Sequence, residues 1–344
     1  MMVEKRLRIA LAGNTNVGKS VIFNYLTGLH QHIGNWPGKT VEKAEGTLHF
    51  KGYTIDVIDL PGIYSLSTYS IEEQISREYI VVEKPDVVIN VVDASVLERN
   101  LYFTLQLMEL GVPLVLALNQ VDIAKRKGIE IDVEKLEKLL GIPVVPTVAI
   151  KGMGISKLLE RVIGVAERKE TPKTVIKFGK EVEDGIARLV KMLEGRHHRY
   201  PPRYVAIRLL EGDEELEKEM ERLNPEVVAT AKKISRELEE LHGHSCSTVI
   251  MAERYEIAGR IAREVQKLVP PIKPRFEECL HNLTTHKIVG YVIMVLSLLA
   301  IFYSVFTIGG HISEFLNELF YGTEPLFYEL FGIGAIGKLV WSVM

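Results

Sequence analysis

Residues 13–20 read GNTNVGKS, between the apolar stretch RLRIALA at 6–12 and the helix-like stretch VIFNYL at 21–26. This is the phosphate-binding pattern G-x-x-x-x-G-K-[ST], in the strand, loop and helix order that the pattern requires. Its glycines let backbone N–H groups approach phosphate oxygens at the positive end of a helix. Lys19 supplies a charge for the outer phosphates, and Ser20 can ligate Mg²⁺. The predicted phosphate contacts are Gly13, Asn14, Thr15, Asn16, Val17, Gly18, Lys19 and Ser20.

Short β-like runs alternate with helical patterns from residue 6 to about residue 169. Runs such as VVINVV at 87–92 are apolar almost throughout, which is typical of strands in a parallel sheet that is covered on both faces. We therefore expect a doubly wound, mostly parallel α/β domain over residues 1–169. The predicted strands are 6–12, 46–50, 54–59, 87–93, 114–119 and 143–146, and the predicted helices are 19–27, 71–81, 97–109, 133–140 and 156–167.

The pattern changes after the linker-like stretch ETPKTV at 170–175. Helical patterns follow, separated by Gly and Pro turn signals, and the run Tyr204–Arg208 is a candidate strand among them. We expect a small helical domain over residues 170–268, and then a stiff Pro-rich connector over 269–287. The predicted helices are 178–193, 211–223, 225–241 and 248–268.

Residues 288–308 read IVGYVIMVLSLLAIFYSVFTI and carry no charge. At about 1.5 Å per residue, a helix of this length crosses the ~30 Å hydrocarbon core of a bilayer. The alternative is a buried core helix, but such a long uncharged run is rare in soluble folds. Basic residues precede the run and acidic residues follow it, so we expect residues 1–287 on the cytoplasmic side of the cell (inner or plasma) membrane. Residues 309–344 are expected to form an extracytoplasmic loop, with 331–344 as a candidate start of a second span.

The composition excludes several classes of protein. The net charge of −3 predicts no basic surface, which argues against nucleic acid as a partner and against an RNA-associated nucleotide-binding protein. Two cysteines are too few for a disulfide framework. The first residues lack the apolar core of a signal peptide, in keeping with a cytoplasmic N-terminal part.

The stretch DLPG at 59–62 ends the third predicted strand. Asp59 can hold Mg²⁺ through water, and the N–H of Gly62 can approach a γ-phosphate, so the following loop would sense whether that phosphate is present. D-x-x-G alone is usually a turn, but its place at a strand end after a phosphate loop favours a nucleotide contact. The predicted contacts are Asp59, Leu60, Pro61 and Gly62.

The stretch NQVD at 119–122 resembles the N-K-x-D motif of GTPases. In that motif the aspartate, here Asp122, accepts hydrogen bonds from two guanine donors, a pair that adenine cannot offer. Gln120 replaces the usual lysine, which normally tethers the phosphate loop, so we expect weaker binding with the same choice of base. The structural alternative is a strand-end turn. The predicted base contacts are Asn119, Gln120, Asp122, Val148, Ala149 and Ile150, with the Ala149 N–H facing the guanine oxygen.

Residues 31–42 read QHIGNWPGKTVE, a long loop with Gly and Pro of the kind that carries function. Thr40 is placed like the switch I threonine that ligates Mg²⁺ when γ-phosphate is bound. Alternatively, Thr40 is a β-propensity residue that enters the next strand. The predicted contacts in this loop are Gly38, Lys39 and Thr40.

Together, GNTNVGKS, NWPGKTVEK, DLPGIYSL and NQVD resemble the N-terminal part of the ferrous iron transport protein B (FeoB) family. The segments NWPGxTVE and DLPGxYSL are the most specific, because ordinary small GTPases lack them. The resemblance implies a cytosolic GTPase that binds GTP and GDP, a helical domain that stabilises the GDP state, and a polytopic membrane part for Fe²⁺. It also implies small cytosolic Feo accessory proteins and a homo-oligomer as candidate partners. With one full span, the chain resembles a truncated or incomplete member.

Ile63 stands where Ras-like enzymes place the glutamine that orients the attacking water, so we expect slow intrinsic hydrolysis. Asn16 matches an asparagine that coordinates K⁺ in related GTPases, and we hypothesise that K⁺ at Asn16 accelerates the reaction. The alternative is that Asn16 makes local hydrogen bonds within the loop. The candidate catalytic residues are Asn16, Lys19, Thr40 and Gly62, and the candidate metal ligands are Ser20, Thr40 and Asp59 for Mg²⁺ and Asn16 for K⁺.

The sequence favours a membrane-tethered GTPase whose switch loops sense γ-phosphate and regulate Fe²⁺ transport. The alternative is a GTP-dependent membrane scaffold that recruits partners with negligible hydrolysis, which Ile63 would permit. The stretch HGHSC at 242–246 offers three metal ligands without a fourth, so we interpret it as a surface loop.

Overall fold

The computed structural model describes residues 5–28, 31–66, 70–194, 199–269, 280, 283–323 and 325. The chain forms two compact units, Met1–Pro271 and Ile272–Met344. The strands are β1 (Lys5–Gly13), β2 (Gln31–Asn35), β3 (Glu42–Phe50), β4 (Tyr53–Asp59), β5 (Val87–Asp93), β6 (Leu114–Asn119), β7 (Ile129–Ile131), β8 (Val144–Pro146) and β9 (Gln266–Leu268). The helices of the first unit are α1 (Lys19–Thr27), α2 (Ile71–Glu78), α3 (Leu97–Glu109), α4 (Val121–Arg126), α5 (Val133–Leu140), α6 (Ile155–Arg168), α7 (Lys180–Leu193), α8 (Pro202–Leu210), α9 (Glu214–Leu223), α10 (Pro225–His242) and α11 (Cys246–Val265).

The main sheet has seven strands in the order β2-β3-β4-β1-β5-β6-β8. Strands β4, β1, β5, β6 and β8 run parallel, and β2 and β3 are antiparallel additions at one edge. Along β5, Val88 and Val92 belong to one hydrophobic core, and Ile89 and Val91 to the other. Because alternate residues of a strand face opposite sides, the apolar run requires helices on both faces. The predicted doubly wound fold is confirmed.

The predicted strand at Tyr204–Arg208 is wrong, since these residues lie inside helix α8. Pro202 occupies the first turn of α8, where a missing N–H costs nothing. Every residue from Tyr204 to Leu210 is buried, so the helix shows no apolar stripe. A short run that is apolar on all sides cannot be assigned to helix or strand by its period.

Other segments also differ from the predictions, and α4 and β7 were not predicted. Residues 31–35, expected to be loop, form β2 and pair with β3. The helix expected over 71–81 ends at Glu78 and passes into the π-helical turn Tyr79–Glu83. Helix α11 ends at Val265 rather than continuing to 268, because β9 pairs antiparallel with β7. Two of these departures, β2 and β9, depend on pairing with another segment of the chain.

A chain of alternating charges runs through the interior of the first unit. Arg254 of α11 is fully buried and donates to Glu109 of α3 at 3.0 and 3.1 Å, and to Glu211 at 2.9 Å. Arg208 continues the chain from Glu211 to Asp213, which caps α9. The members in order of contact are Glu109, Arg254, Glu211, Arg208, Asp213, Arg77 and Glu215. This ion-pair chain therefore joins α3, α11, the turn between α8 and α9, and α2.

The described part of the second unit contains the helix Val289–Gly322, which has 34 residues. It is long and apolar enough to cross a membrane, with a mean hydropathy of 2.4 over its best window. The helix continues past Ile308, so the loop expected from residue 309 is wrong as far as Gly322. The candidate second span at 331–344 and residues 270–279 of the predicted connector lie outside the described residues.

Candidate nucleotide-binding site

A cavity of about 650 Å³ opens where β1, β6 and β8 end. Parallel strands place their carboxyl ends at one edge of a sheet, and α/β proteins bind ligands in the crevice at that edge. The cavity is lined by Asn14, Thr15, Asn16, Gly18, Lys19, Ser20, Val21, Gly62, Asn119, Gln120, Asp122, Ile123, Val148, Ala149 and Ile150. Three predicted elements, the phosphate loop, the DLPG turn and the base loops, therefore meet in one cavity.

The phosphate loop needs glycine at two close contacts. A Cβ atom at Gly13 would lie 2.5 Å from the carbonyl oxygen of Val91, and one at Gly18 would lie 2.4 Å from Nδ2 of Asn119. Gly18 also has a φ of 86°, in the left-handed region. It precedes α1, and Gly18, Lys19 and Ser20 at the start of this helix line the cavity. A helix N-terminus at the wall of a cavity is suited to binding an anion.

Lys19 and Asp59 form an ion pair beside the cavity, and Ser20 Oγ donates to Asp59 Oδ2 at 3.4 Å. Both charged side chains are mostly buried, with 9% of Lys19 and 13% of Asp59 exposed. Burial raises the pKa of Asp59 above its ordinary value, although Lys19 favours the charged form. A hydroxyl and a carboxylate oxygen at this spacing form a hard-oxygen pair that suits Mg²⁺. The residues present therefore fit the metal that the motif implies.

Asn119 connects three loops around the cavity. Its Nδ2 donates to the carbonyl oxygen of Val17 at 2.9 Å. Its Oδ1 accepts from Thr147 Oγ1 at 3.2 Å and from the Ala149 N–H at 3.0 Å. Because Asn119 is buried, these bonds fix the position of the phosphate loop relative to the base loop. The Ala149 N–H, predicted to face the guanine oxygen, donates to Asn119 in this structure.

Gln120 contacts the phosphate loop even though it replaces a lysine. Its Nε2 donates to the carbonyl oxygen of Asn16 at 3.3 Å. Asp122 lies next to it in the cavity wall, 3.2 Å from the Arg126 guanidinium and 3.8 Å from Lys151 Nζ. Gln120 thus makes a direct contact with the phosphate loop, and the weaker binding expected from the replaced lysine stays a prediction.

Asn14 lines the cavity with 4% of its surface exposed, and its Oδ1 is buried with no donor among the described residues. A buried acceptor without a donor is costly, so a bound donor or cation would satisfy it. Asn16 has a φ of 63° and an exposed side chain. Its carbonyl is fixed by Gln120, which leaves the side-chain amide available.

Some predicted site residues lie outside the cavity. Among the described residues that line it, none comes from 38–40, the segment containing Thr40. Lys39 instead lies 3.8 Å from Glu78 of α2, and Trp36 packs edge-on against Tyr79 with ring centroids 5.5 Å apart. The further predicted residues that do not line it are Gly13, Val17, Asp59, Leu60 and Pro61.

Several contributors were not predicted. Val21 and Ile123 line the cavity. Val21 directly follows Ser20 and Ile123 directly follows Asp122, so their position next to predicted contacts was the available signal. Tyr64 hydrogen-bonds Thr15 through its hydroxyl, a contact that no sequence pattern indicates. The HGHSC stretch is exposed from His242 to Ser245, as expected for a surface loop, but Cys246 is buried. Within the described ranges, no group of three or more His, Cys, Asp and Glu residues is placed to hold a metal.

Two family models match the chain. The first, described as ferrous iron transport protein B, matches residues 7–162. The second, described as the FeoB cytosolic helical domain, matches residues 178–267. The chain belongs to the FeoB family. The resemblance inferred from the four sequence segments is thus confirmed.

FeoB relatives align along nearly the whole chain. The Fe(2+) transporter FeoB of Methanocaldococcus jannaschii is 44% identical over 323 residues, which cover 92% of this chain and 47% of that protein. A Porphyromonas gingivalis protein, named as a fusion of Fe(2+) transport protein A and the transporter FeoB, is 35% identical over 349 residues, covering 98% of this chain and 40% of that protein. The chain therefore spans less than half the length of these relatives.

Solved structures cover the first unit. The cytosolic domain of the T. maritima FeoB iron transporter has been solved in apo, GDP and GMPPNP forms. Its GMPPNP form is 38% identical to this chain, with a TM-score of 0.67, and covers 76% of this chain and 99% of that one. The cavity thus belongs to a FeoB G-domain, a domain that holds guanine nucleotides in this relative.

Proposed function

We propose that this chain is the GTP-binding and GTP-hydrolysing part of a ferrous iron transporter, tethered to the cell membrane by the helix Val289–Gly322. The observation that carries the proposal is one cavity in which the phosphate loop meets Asp122. A phosphate loop alone does not separate ATP from GTP. A carboxylate at the base end favours guanine, because it accepts from two guanine donors that adenine does not offer together.

Each residue has a defined task in the proposed reaction. Lys19 would balance charge on the outer phosphates after exchanging its present partner Asp59. Ser20 and Asp59 would hold Mg²⁺, which supplies positive charge to the transferring phosphoryl group. Gly62 and Thr40 would sense the γ-phosphate, and for Thr40 this requires the 36–41 loop to move toward the cavity.

Hydrolysis needs a substitute for the missing glutamine, because the Ile63 side chain is apolar and buried. Asn16 supports one, since its side chain is exposed at the cavity while its carbonyl is fixed. We infer that K⁺ held at Asn16 accelerates a slow intrinsic reaction by adding positive charge near the γ-phosphate. Turnover in KCl should exceed turnover in NaCl, and equal rates would exclude this role.

The second candidate function is a GTP-dependent membrane scaffold, and the buried Ile63 is the observation that favours it. A scaffold would retain GTP over many minutes under single-turnover conditions with Mg²⁺ and K⁺. A GTPase would release phosphate in the same experiment. Phosphate release therefore separates the two functions.

The base assignment is tested with Asp122→Asn. An asparagine amide donates where the carboxylate accepted, so it matches xanthine, which carries a carbonyl in place of the exocyclic amine of guanine. We expect GDP affinity to fall about 100-fold or more, and XDP affinity to rise to the level of GDP on the unmodified chain. Calorimetric titration with both nucleotides measures this, with Asp184→Asn, an exposed aspartate on α7, as the control. Unchanged GDP affinity would remove the basis for choosing guanine.

The remaining parts of the proposal concern the whole transporter. We propose a GTPase domain at 1–169 and a helical domain at 170–268, with Fe²⁺ as the transported ion and residues 1–287 in the cytoplasm. The fused relative from P. gingivalis supports a small Feo accessory protein as a partner. A homo-oligomer is a further candidate, tested by the mass of the detergent-solubilised chain.

A further inference from the structure

The segment after β4 is attached to the phosphate loop through its backbone. The Leu60 N–H donates to Leu11 at 3.0 Å, and the Ile63 N–H donates to Gly13 at 3.2 Å. These bonds direct the Ile63 side chain into the core, where 4% of the residue is exposed. The next side chain, Tyr64, therefore points outward, and 47% of it is exposed.

Tyr64 reaches back to the phosphate loop. Its hydroxyl forms a hydrogen bond with Thr15 Oγ1, and Thr15 lines the nucleotide cavity. Thr15 also packs against Gly62, since a Cβ atom added to Gly62 would lie 3.1 Å from Thr15 Cγ2. The Tyr64 hydroxyl thus joins the phosphate loop to the glycine whose N–H is proposed to meet the γ-phosphate.

Arg99 holds the Tyr64 ring from the other side. Its guanidinium carbon lies 4.9 Å from the ring centroid, within the range of a cation–π contact. In the described part of the chain, Arg99 makes no ion pair that would draw it elsewhere. Arg99 belongs to the first turn of α3, a rigid and well-packed helix. The Arg99 contact with the ring and the Thr15 bond to the hydroxyl therefore hold the half-exposed Tyr64 side chain in one orientation.

We propose that Tyr64 is a positioning residue for GTP hydrolysis, which acts by holding Thr15 and Gly62 together at the γ-phosphate end of the cavity. The proposal rests on the GTPase function proposed above. Pre-organised donors are worth more than mobile ones, because no reorganisation is needed when charge develops. The Tyr64–Thr15 hydrogen bond would restrict the motion of the turn that contains Gly62, where the apolar Ile63 side chain makes no hydrogen bond of its own.

The test is a double-mutant cycle of Tyr64→Phe and Thr15→Val, which remove one hydroxyl each and keep the ring or the side-chain shape. We expect each variant to slow single-turnover hydrolysis about five- to tenfold, the loss of one hydrogen bond in the transition state. The double variant should be no slower than either single one, because the partners act as a pair. GDP affinity should stay within about twofold in Tyr64→Phe, whose side chain does not line the cavity. Arg99→Lys should retain most of the rate, and Arg99→Gln should lose part of it.

The matched control is Tyr255→Phe, a tyrosine with 45% exposure whose ring stacks on Tyr102 away from the cavity. Additive rate losses, or equal losses of GDP affinity and thermal stability in Tyr64→Phe, would overturn the proposal. If the unmodified chain does not hydrolyse GTP, the proposed function fails, and the binding ratio of GMPPNP to GDP then decides the role of Tyr64. A fall of several-fold in that ratio supports positioning of the γ-phosphate, and an unchanged ratio excludes it.

Discussion

The nucleotide cavity and the buried ion-pair chain are both polar regions inside a largely apolar unit, but they are stabilised in opposite ways. The cavity is held by amides and backbone groups, such as the three bonds of Asn119. Its charged residues Lys19 and Asp122 line the opening, although each has an ion-pair partner. In the ion-pair chain, two hydrogen bonds join Arg254 to Glu109, and Arg254 also donates to Glu211, so few donors of its guanidinium are left. The cavity is organised to bind a ligand, whereas the groups of the ion-pair chain bind one another.

The electrostatic cost also differs between the two regions. Burial raises the pKa of the Glu109 carboxyl despite the adjacent Arg254. Burial opposes ionisation of Glu211 and Asp213 as well, but Arg254 and Arg208 outweigh it for Glu211, and Arg208 and Arg77 for Asp213. The pKa of each of these two carboxyls is therefore held below its ordinary value. Removing one member of the ion-pair chain leaves an oppositely charged neighbour buried without that partner. We therefore expect a larger loss of folding stability from such a change than from the loss of a cavity contact.

The largest effect is expected from Arg254→Met, which leaves Glu109 and Glu211 buried without their shared cation. We expect a loss of about 3–5 kcal/mol in the free energy of unfolding, measured by urea titration. The matched control is Arg188→Met, which breaks an exposed pair with Glu237 and should cost about 0–1 kcal/mol. Equal losses in the two variants would show that the buried chain contributes no more than a surface pair.

An intermediate effect is expected from Asp213→Asn, which removes the charge between Arg77 and Arg208. The cost at pH 7 should be about 1.5–3 kcal/mol, the range for a hydrogen bond to a charged group. Because the folded pKa values of Asp213 and Glu211 are lowered, their stabilisation is complete above the ordinary carboxyl pKa and is lost as the pH falls through the folded values.

The acid branch of a plot of stability against pH should therefore be less steep in Asp213→Asn than in the unmodified chain. Asp184→Asn, on the exposed face of α7, should leave both the stability and the profile unchanged. A profile in Asp213→Asn that coincides with that of the unmodified chain would contradict the lowered pKa of Asp213.

The smallest effect is expected in the cavity from Gln120→Ala, which removes the bond to the Asn16 carbonyl. The loss of one neutral hydrogen bond, about 1 kcal/mol, should weaken GDP binding about fivefold with little change in thermal stability. Gln120→Lys should restore the affinity, since a lysine can donate to the same carbonyl. GDP titration checks both variants, and an unaltered affinity in Gln120→Ala would show that this tether is dispensable.

The contrast between the two regions also explains what the sequence could predict. The phosphate loop, Asp59, Gly62 and Asp122 belong to short contiguous motifs whose chemistry depends on the local backbone. Most of the loop lines one cavity together with Gly62 and Asp122, and Asp59 lies beside that cavity as the ion-pair partner of Lys19. The apolar runs of β5 and β6 likewise predicted a buried parallel sheet. Arg254 and Glu109 are 145 positions apart, and no local pattern relates them.

Dependence on contacts outside the local sequence also explains the predictions that were wrong. Strand β2 needs β3 as a partner, and β9 needs β7, so neither could be recognised from its own residues. Helix α8 is buried on all sides, which removes the amphipathic period that identifies a helix. The position of the 38–40 segment depends on contacts such as Lys39 with Glu78, which the motif does not encode.

The pairing of β9 with β7 has a mechanical consequence. Strand β9 precedes residue 269, and β7 follows α4, the helix whose first turn carries Asp122. In the antiparallel register Leu268 pairs with Ile129, and the Val269 N–H donates to Gly128 at 2.7 Å. If tension is applied to the polypeptide beyond residue 269, these hydrogen bonds at the end of β9 would bear the force first, and the inner pairs of the ladder would follow. The force would therefore reach the Asp122 end of the cavity, through Gly128 and α4, before it reached the phosphate loop.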